Sequence, residues 1–146
     1  MNRRFFIPLS VIALVLVVSV TVRGETDAEV QARKDALDVA AAFSNDGFKI
    51  RDGHSCGVLK PHDHALIAVN LYAGNQYWFS VGTTEPLKKV AVTLYDETGK
   101  QVTTENFSNG DKAAAGFAPE NSGQYFVSVD SVEDQEGTFC LVYSYK

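Results

Sequence analysis

This chain is poor in the residues that carry most enzymatic chemistry. Its 146 residues hold two cysteines, one tryptophan and three histidines. Cys56 and Cys140 stand far apart, which excludes a CxxC redox pair. There is no G-x-S-x-G elbow, no HExxH, no P-loop and no G-x-G-x-x-G. A basic excess is also missing: 13 Lys and Arg against 18 Asp and Glu leave a net charge of −5. Without clustered cations to displace counterions, nucleic acid is excluded as an electrostatic partner. Internal repeats and low-complexity linkers are absent too. What is present is an apolar content of 45% and an aromatic content of 11%, the composition of a folded domain. The length suits one hydrophobic core, not two.

The first 24 residues differ from the rest. Met1-Asn2-Arg3-Arg4 is a short basic stretch, and 5–22 is uncharged and almost wholly apolar. Val22-Arg23-Gly24 offers a cleavage point before Glu25, so 1–24 reads as an export signal. The apolar run is also just long enough for an uncleaved membrane anchor. Either reading places the remaining chain outside the cytoplasm, in the periplasm, at the cell surface or beyond. In an oxidising compartment Cys56 and Cys140 are the natural disulfide pair. Such a loop would stabilise the fold by up to about 4–5 kcal/mol on the chain-entropy model. Two buried free thiols are the alternative.

Residues 25–47 have helical character. Thr26 and Glu29 form a capping-box pair, and Ala32, Ala36, Leu37, Ala40 and Phe43 recur at helical spacing. Ser44-Asn45-Asp46-Gly47 stops the pattern, with Gly47 in a left-handed cap. From Phe48 onward the period changes to two. Short strands are predicted at 48–51 and 55–59, then along Ala65, Ile67, Val69 and Leu71. Gly74-Asn75 then turns the chain as in a hairpin into Tyr77, Phe79 and Val81. Further strands follow at Val90–Leu94, Val102–Asn106, Ala113–Phe117, Tyr125–Val129 and Thr138–Tyr145, with turn clusters between them. About eight short strands without intervening helices predict an all-β, antiparallel jelly-roll-like β-sandwich over 48–146. The signal segment and one short helix precede it.

Several stretches carry a family resemblance. They are Leu-x-Ala-Gly-Asn-x-Tyr-x-Phe-x-Val at 71–81, Val-x-Leu-Tyr-Asp-x-x-Gly-x-x-Val at 92–102, Phe-Ala-Pro-Glu-Asn-Ser-Gly-Gln-Tyr-Phe-Val-Ser-Val at 117–129, and a glycine before the last strand at 137–145. Over roughly 60–146 the chain resembles the bacterial pre-peptidase C-terminal (PPC) domain, a jelly-roll-like sandwich often appended to secreted peptidases. The resemblance implies that fold and an extracellular setting, and some members bind calcium or a polymer such as collagen. No catalytic domain is attached here, and the helix and cysteine pair lie outside the family pattern.

The candidate site residues follow from chemistry. Trp78 lies between Tyr77 and Phe79, so the pleat points it to the opposite sheet face, together with Gln76 and Ser80. An exposed Trp beside amide and hydroxyl groups is a contact residue for a sugar ring or a protein. The competing reading is that the helix or a loop covers it. On a strand, His62 and His64, two apart, would share a face as metal ligands do, with His54 or Asp63 nearby, but Pro61-His62-Asp63 also reads as an exposed turn whose polar residues need no ligand. Asp130, Glu133, Asp134 and Glu136 around the last loop offer hard oxygens for Ca²⁺, although solvated acidic loops are common. Cys56 with His54 is the one arrangement that would serve a cysteine nucleophile.

The expectation is therefore an exported, non-catalytic module that needs no cofactor and binds an envelope or extracellular protein or polysaccharide. It would touch the membrane only through an uncleaved N-terminal segment. The alternative is a small metal-dependent or cysteine-based envelope enzyme.

Overall fold

A computed structural model describes residues 23–146. The segment read as signal or anchor lies, apart from Arg23 and Gly24, outside the described residues. Helix α1 (Asp27–Ala41) starts at the expected capping box: Glu29 N–H donates to Thr26 Oγ1 at 3.2 Å, and Thr26 N–H donates to Glu29 Oε2 at 2.8 Å. It ends two residues before Phe43. A single 3₁₀ turn, Ser44–Asp46, follows, and Gly47 closes that turn with φ of 89°, a conformation that glycine adopts without a Cβ penalty.

Among the described residues nine strands form two antiparallel sheets. The six-stranded sheet runs β1 (Lys49–Ile50), β9 (Gly137–Tyr145), β4 (Tyr77–Thr83), β7 (Lys112–Phe117), β6 (Glu105–Asn109), with β2 (Ser55–Leu59) also paired to β9. The three-stranded sheet runs β3 (His64–Leu71), β8 (Gly123–Ser131), β5 (Val90–Tyr95). The inner faces meet as the alternation predicts: Tyr77, Phe79 and Val81 pack with Val69, Leu71, Leu94, Val127 and Val129 in one cluster. Jelly-roll-like connectivity is visible in the pairing, since among consecutive strands only β6 and β7 form a hairpin.

Two expectations fail here. Gly74-Asn75 does not close a hairpin, because β3 and β4 belong to different sheets. The Tyr72–Gln76 segment crosses the end of the sandwich, and Tyr77 Oη anchors it by accepting from Tyr72 N–H at 3.0 Å and Asn75 Nδ2 at 3.1 Å. The strand expected at Val102–Asn106 begins at Glu105 instead. Val102 N–H donates to the Leu94 carbonyl at 3.0 Å, and Gln101 bridges to Tyr95. The apolar side chain that made Val102 read as strand thus packs the core from a segment bordering β5.

Helix α1 packs on the outer face of the six-stranded sheet, against β4 and β9. The contact is close because both surfaces are made of small residues. Ala32, Ala36 and Ala40 are buried from the helix side, against Ser80, Gly82, Ala114 and Val142 on the sheet side. A Cβ at Gly82 would collide with the backbone of Ala32 and Ala36. Lys112 Nζ reaches Asp35 Oδ1 at 3.3 Å and ties the helix to β7.

Candidate functional site

The pleat orients Trp78 outward, away from the core, and α1 with its following turn then covers it. Phe43, just beyond the helix, stacks on the indole with ring centroids 4.0 Å apart and planes 8° from parallel. On the other side, Gly116 of β7 is the register partner of Trp78, and a Cβ there would lie 2.9 Å from the indole ring. Glycine at 116 thus makes room for the ring. Trp78 is half-buried, its indole held between Phe43 and Gly116. A sugar cannot stack on the Phe43 side without displacing Phe43.

Gln76 and Trp78 nonetheless border a cleft of about 650 Å³. It lies where β4 begins, β7 ends and β8 begins. Its apolar floor includes Phe117 and Val102, and its polar walls include Gln76, Thr104, Glu105 and Glu120. Asp96 also lines it, but that carboxylate is already engaged: Oδ1 accepts from Thr98 Oγ1 at 2.6 Å, Thr98 N–H at 2.9 Å and Lys100 N–H at 3.0 Å. The Thr98 hydroxyl first, then the Lys100 amide, hold the Asp96 carboxyl below its usual range. On the floor, Tyr125 Oη donates to the Asn121 carbonyl at 2.8 Å, and burial raises its phenol above the usual range. Carboxylates but no Lys or Arg line this cleft.

The expected metal sets do not assemble. His62 sits at a turn tip with φ of 55°, outside any strand, so it shares no strand face with His64. Its Nε2 meets Asp134 Oδ1 at 2.7 Å, and both side chains are largely exposed. His64 opens β3 opposite Asp130 of β8, whose Oδ1 accepts from Ser128 Oγ at 2.9 Å. His54 pairs instead with Glu25, Nε2 to Oε1 at 3.1 Å. Asp130, Glu133, Asp134 and Glu136 do not converge either: among the described residues the one grouping of three metal-ligating side chains is Glu25, His54 and Cys56. The acidic loop links β8 in one sheet to β9 in the other.

Cys56 and Cys140 are joined. They are register partners on β2 and β9, with Cα atoms 4.1 Å apart. The disulfide removes Cys56 as a nucleophile while it is intact, so the cysteine-enzyme arrangement has no free thiol.

Comparison with known proteins now adds to the geometry. A solved pre-peptidase C-terminal domain of a collagenase from Bacillus anthracis matches with a TM-score of 0.50 and 19% identity, over 62% of this chain and 87% of that one. The fold is a PPC-like β-sandwich. A de novo designed double-stranded β-helix also matches, at 11% identity and a TM-score of 0.36, over 62% of this chain and 97% of that one. No protein-family model and no curated protein matches the sequence. At 19% identity the collagenase domain bears on the fold alone, which agrees with the turn and core motifs at 71–81, 92–102 and 117–129. The cleft was not legible in those motifs, because its walls come from separate stretches around 48, 76, 96, 104, 117 and 121. Both expected contact residues, Gln76 and Trp78, fall on it.

Proposed function

We propose that this PPC-like sandwich is an exported, non-catalytic binding module whose end cleft holds an extended envelope or extracellular polymer. The observation that carries the reading is the cleft itself: amide, hydroxyl and carboxylate side chains around an apolar floor, with no activated nucleophile, base or metal cluster among them. A few polar groups fix orientation while apolar contact supplies affinity, as in most ligand sites. The carboxylates favour a chain without negative charge, so a neutral polysaccharide fits best and a neutral protein segment is the second occupant. Export is supported by the apolar N-terminal run of the sequence and by the Cys56–Cys140 disulfide. No described helix is long and apolar enough to cross a membrane.

Affinity electrophoresis in gels cast with neutral or acidic polysaccharides tests this reading. Retardation by a neutral polymer, weakened by Gln76→Ala and Thr104→Ala, supports it. Equal retardation of wild type and both variants, or retardation by acidic polymers alone, removes the cleft from the function.

A further inference from the structure

The grouping of Glu25, His54 and Cys56 belongs to no part of the cleft. One carboxylate oxygen, one imidazole nitrogen and Cys56 Sγ all lie within 4.8 Å of one another. Arg33 Nη2 holds the other oxygen of Glu25 at 2.9 Å, as partners outside a metal's ligand shell commonly orient ligating carboxylates. The three groups line a separate concavity of about 410 Å³ with Arg23, Gly24 and Glu29. Two chain segments meet there: the residues leading into and starting α1, and those running into β2. Cys140, bonded to Cys56, lies outside that grouping, its Sγ 3.3 Å from the Glu29 carbonyl oxygen, and becomes available as a second sulfur only when the bond is broken.

While the disulfide stands, neither sulfur is a thiolate, and thiolate is the form that ligates. We infer that reduction of Cys56–Cys140 converts this cluster into a zinc site with Cys56, Cys140, His54 and Glu25 as ligands. Two sulfurs, one nitrogen and one oxygen make a tetrahedral set that suits Zn²⁺. The reductant is a dithiol. One of its thiolates attacks the half-exposed Cys56 sulfur and the buried Cys140 leaves; its second thiol then resolves the mixed disulfide. Two electrons enter the protein, the dithiol departs as a disulfide, and two protein thiols form. Zn²⁺ then displaces the two thiol protons to solvent. The oxidised chain keeps only the His54–Glu25 pair and binds zinc weakly. The site therefore reports the redox state of its surroundings.

The test is zinc competition against a chromophoric chelator, using the full chain in detergent micelles before and after a phosphine reductant that leaves no competing thiol. One tightly held zinc per reduced chain and none per oxidised chain is expected. Co²⁺ in place of zinc should add a thiolate charge-transfer band. His54→Ala and Glu25→Gln should each weaken the reduced protein's affinity by at least about tenfold. Equal binding in both redox states, no binding in either, or unchanged affinity in both variants overturns the inference; the last result means chelation by two thiols alone. Trp78 emission follows the fold throughout. If reduction unfolds the chain and zinc does not restore the native emission, the site is equally refuted.

Discussion

The two sheets of this sandwich present opposite outer faces. On the six-stranded sheet, the outward positions of the three central strands are small or slender over much of their length: Ser80 and Gly82 on β4, Ala114 and Gly116 on β7, Cys140, Val142 and Ser144 on β9. Helix α1 lies on them, close enough that Gly82 meets its backbone. On the three-stranded sheet, His64, Leu66, Ala68 and Asn70 of β3 point outward and remain exposed. One sheet is roofed; on the other, the outward side chains of β3 are open to solvent. The difference shows that outward position on a strand does not mean access. Trp78 is outward and covered, whereas Leu66 is outward and 56% exposed.

Predictions on the roofed sheet scale with how much of the roof each residue holds. Replacing both cysteines by serine removes the 84-residue link between β2 and β9, and chemical denaturation should show a loss of up to about 4–5 kcal/mol. A loss below about 1 kcal/mol would mean that the unfolded chain gains little freedom. Gly82→Val should cost about 1–3 kcal/mol through overpacking against α1. A smaller enlargement on the exposed β3 face, Ala68→Val, should stay within about 0.5 kcal/mol. Equal costs at the two positions would erase the distinction between the faces. Phe43→Ala removes the ring stacked on Trp78 and should cost about 0.5–1.5 kcal/mol beyond the lost apolar area. It should also make Trp78 more accessible to acrylamide, read as a steeper quenching slope than in wild type.

The smallest expected effect lies on the acid limb. Glu29 is held below its ordinary value of 4.5 by the Thr26 backbone N–H and hydroxyl, and Asp96 is held below 3.8 by Thr98 and Lys100. A depressed folded-state pKa means that the unfolded chain binds the proton more readily. The stability from each carboxylate is therefore complete above those ordinary values and is lost as pH falls through the lower folded-state ones. Glu29→Gln should flatten the loss belonging to the roof helix, and Asp96→Asn the loss belonging to the turn beyond β5. Melting temperature against pH reads both slopes, and a variant whose acid limb stays as steep as the wild type's shows that its carboxylate was not responsible.

Much of this was legible in the sequence, and the exceptions share a cause. Period-two alternation predicted which of Tyr77, Phe79, Val81, Val127 and Val129 face the core, because that pattern is local. Thr26 and Glu29 predicted their capping box for the same reason. Sheet membership was not legible: Gly74-Asn75 has the chemistry of a hairpin turn, and only long-range pairing reveals a crossing between sheets. The roof was half legible. Ala32, Ala36 and Ala40 announced a shallow stripe, but Gly82 and Gly116 look like ordinary strand glycines until the helix and the indole are in place. The histidines follow the turn chemistry of Lys60-Pro61-His62-Asp63: His62 lies at the turn and His64 opens β3, so they share no strand face. His54 found a partner, Glu25, that no spacing rule connects to it.

The central claim is that α1 is an integral roof over the six-stranded sheet, which covers Trp78 and leaves ligand contact to the end cleft. Native-state hydrogen exchange tests it most directly, because an isolated 15-residue, alanine-rich helix would be marginal in water. Amides in the hydrogen-bonded body of α1 should be protected to nearly the same extent as those of β4 and β9. Exchange of α1 at the rate of an unstructured peptide, with β4 and β9 still protected, would contradict the claim and return Trp78 to the exposed surface.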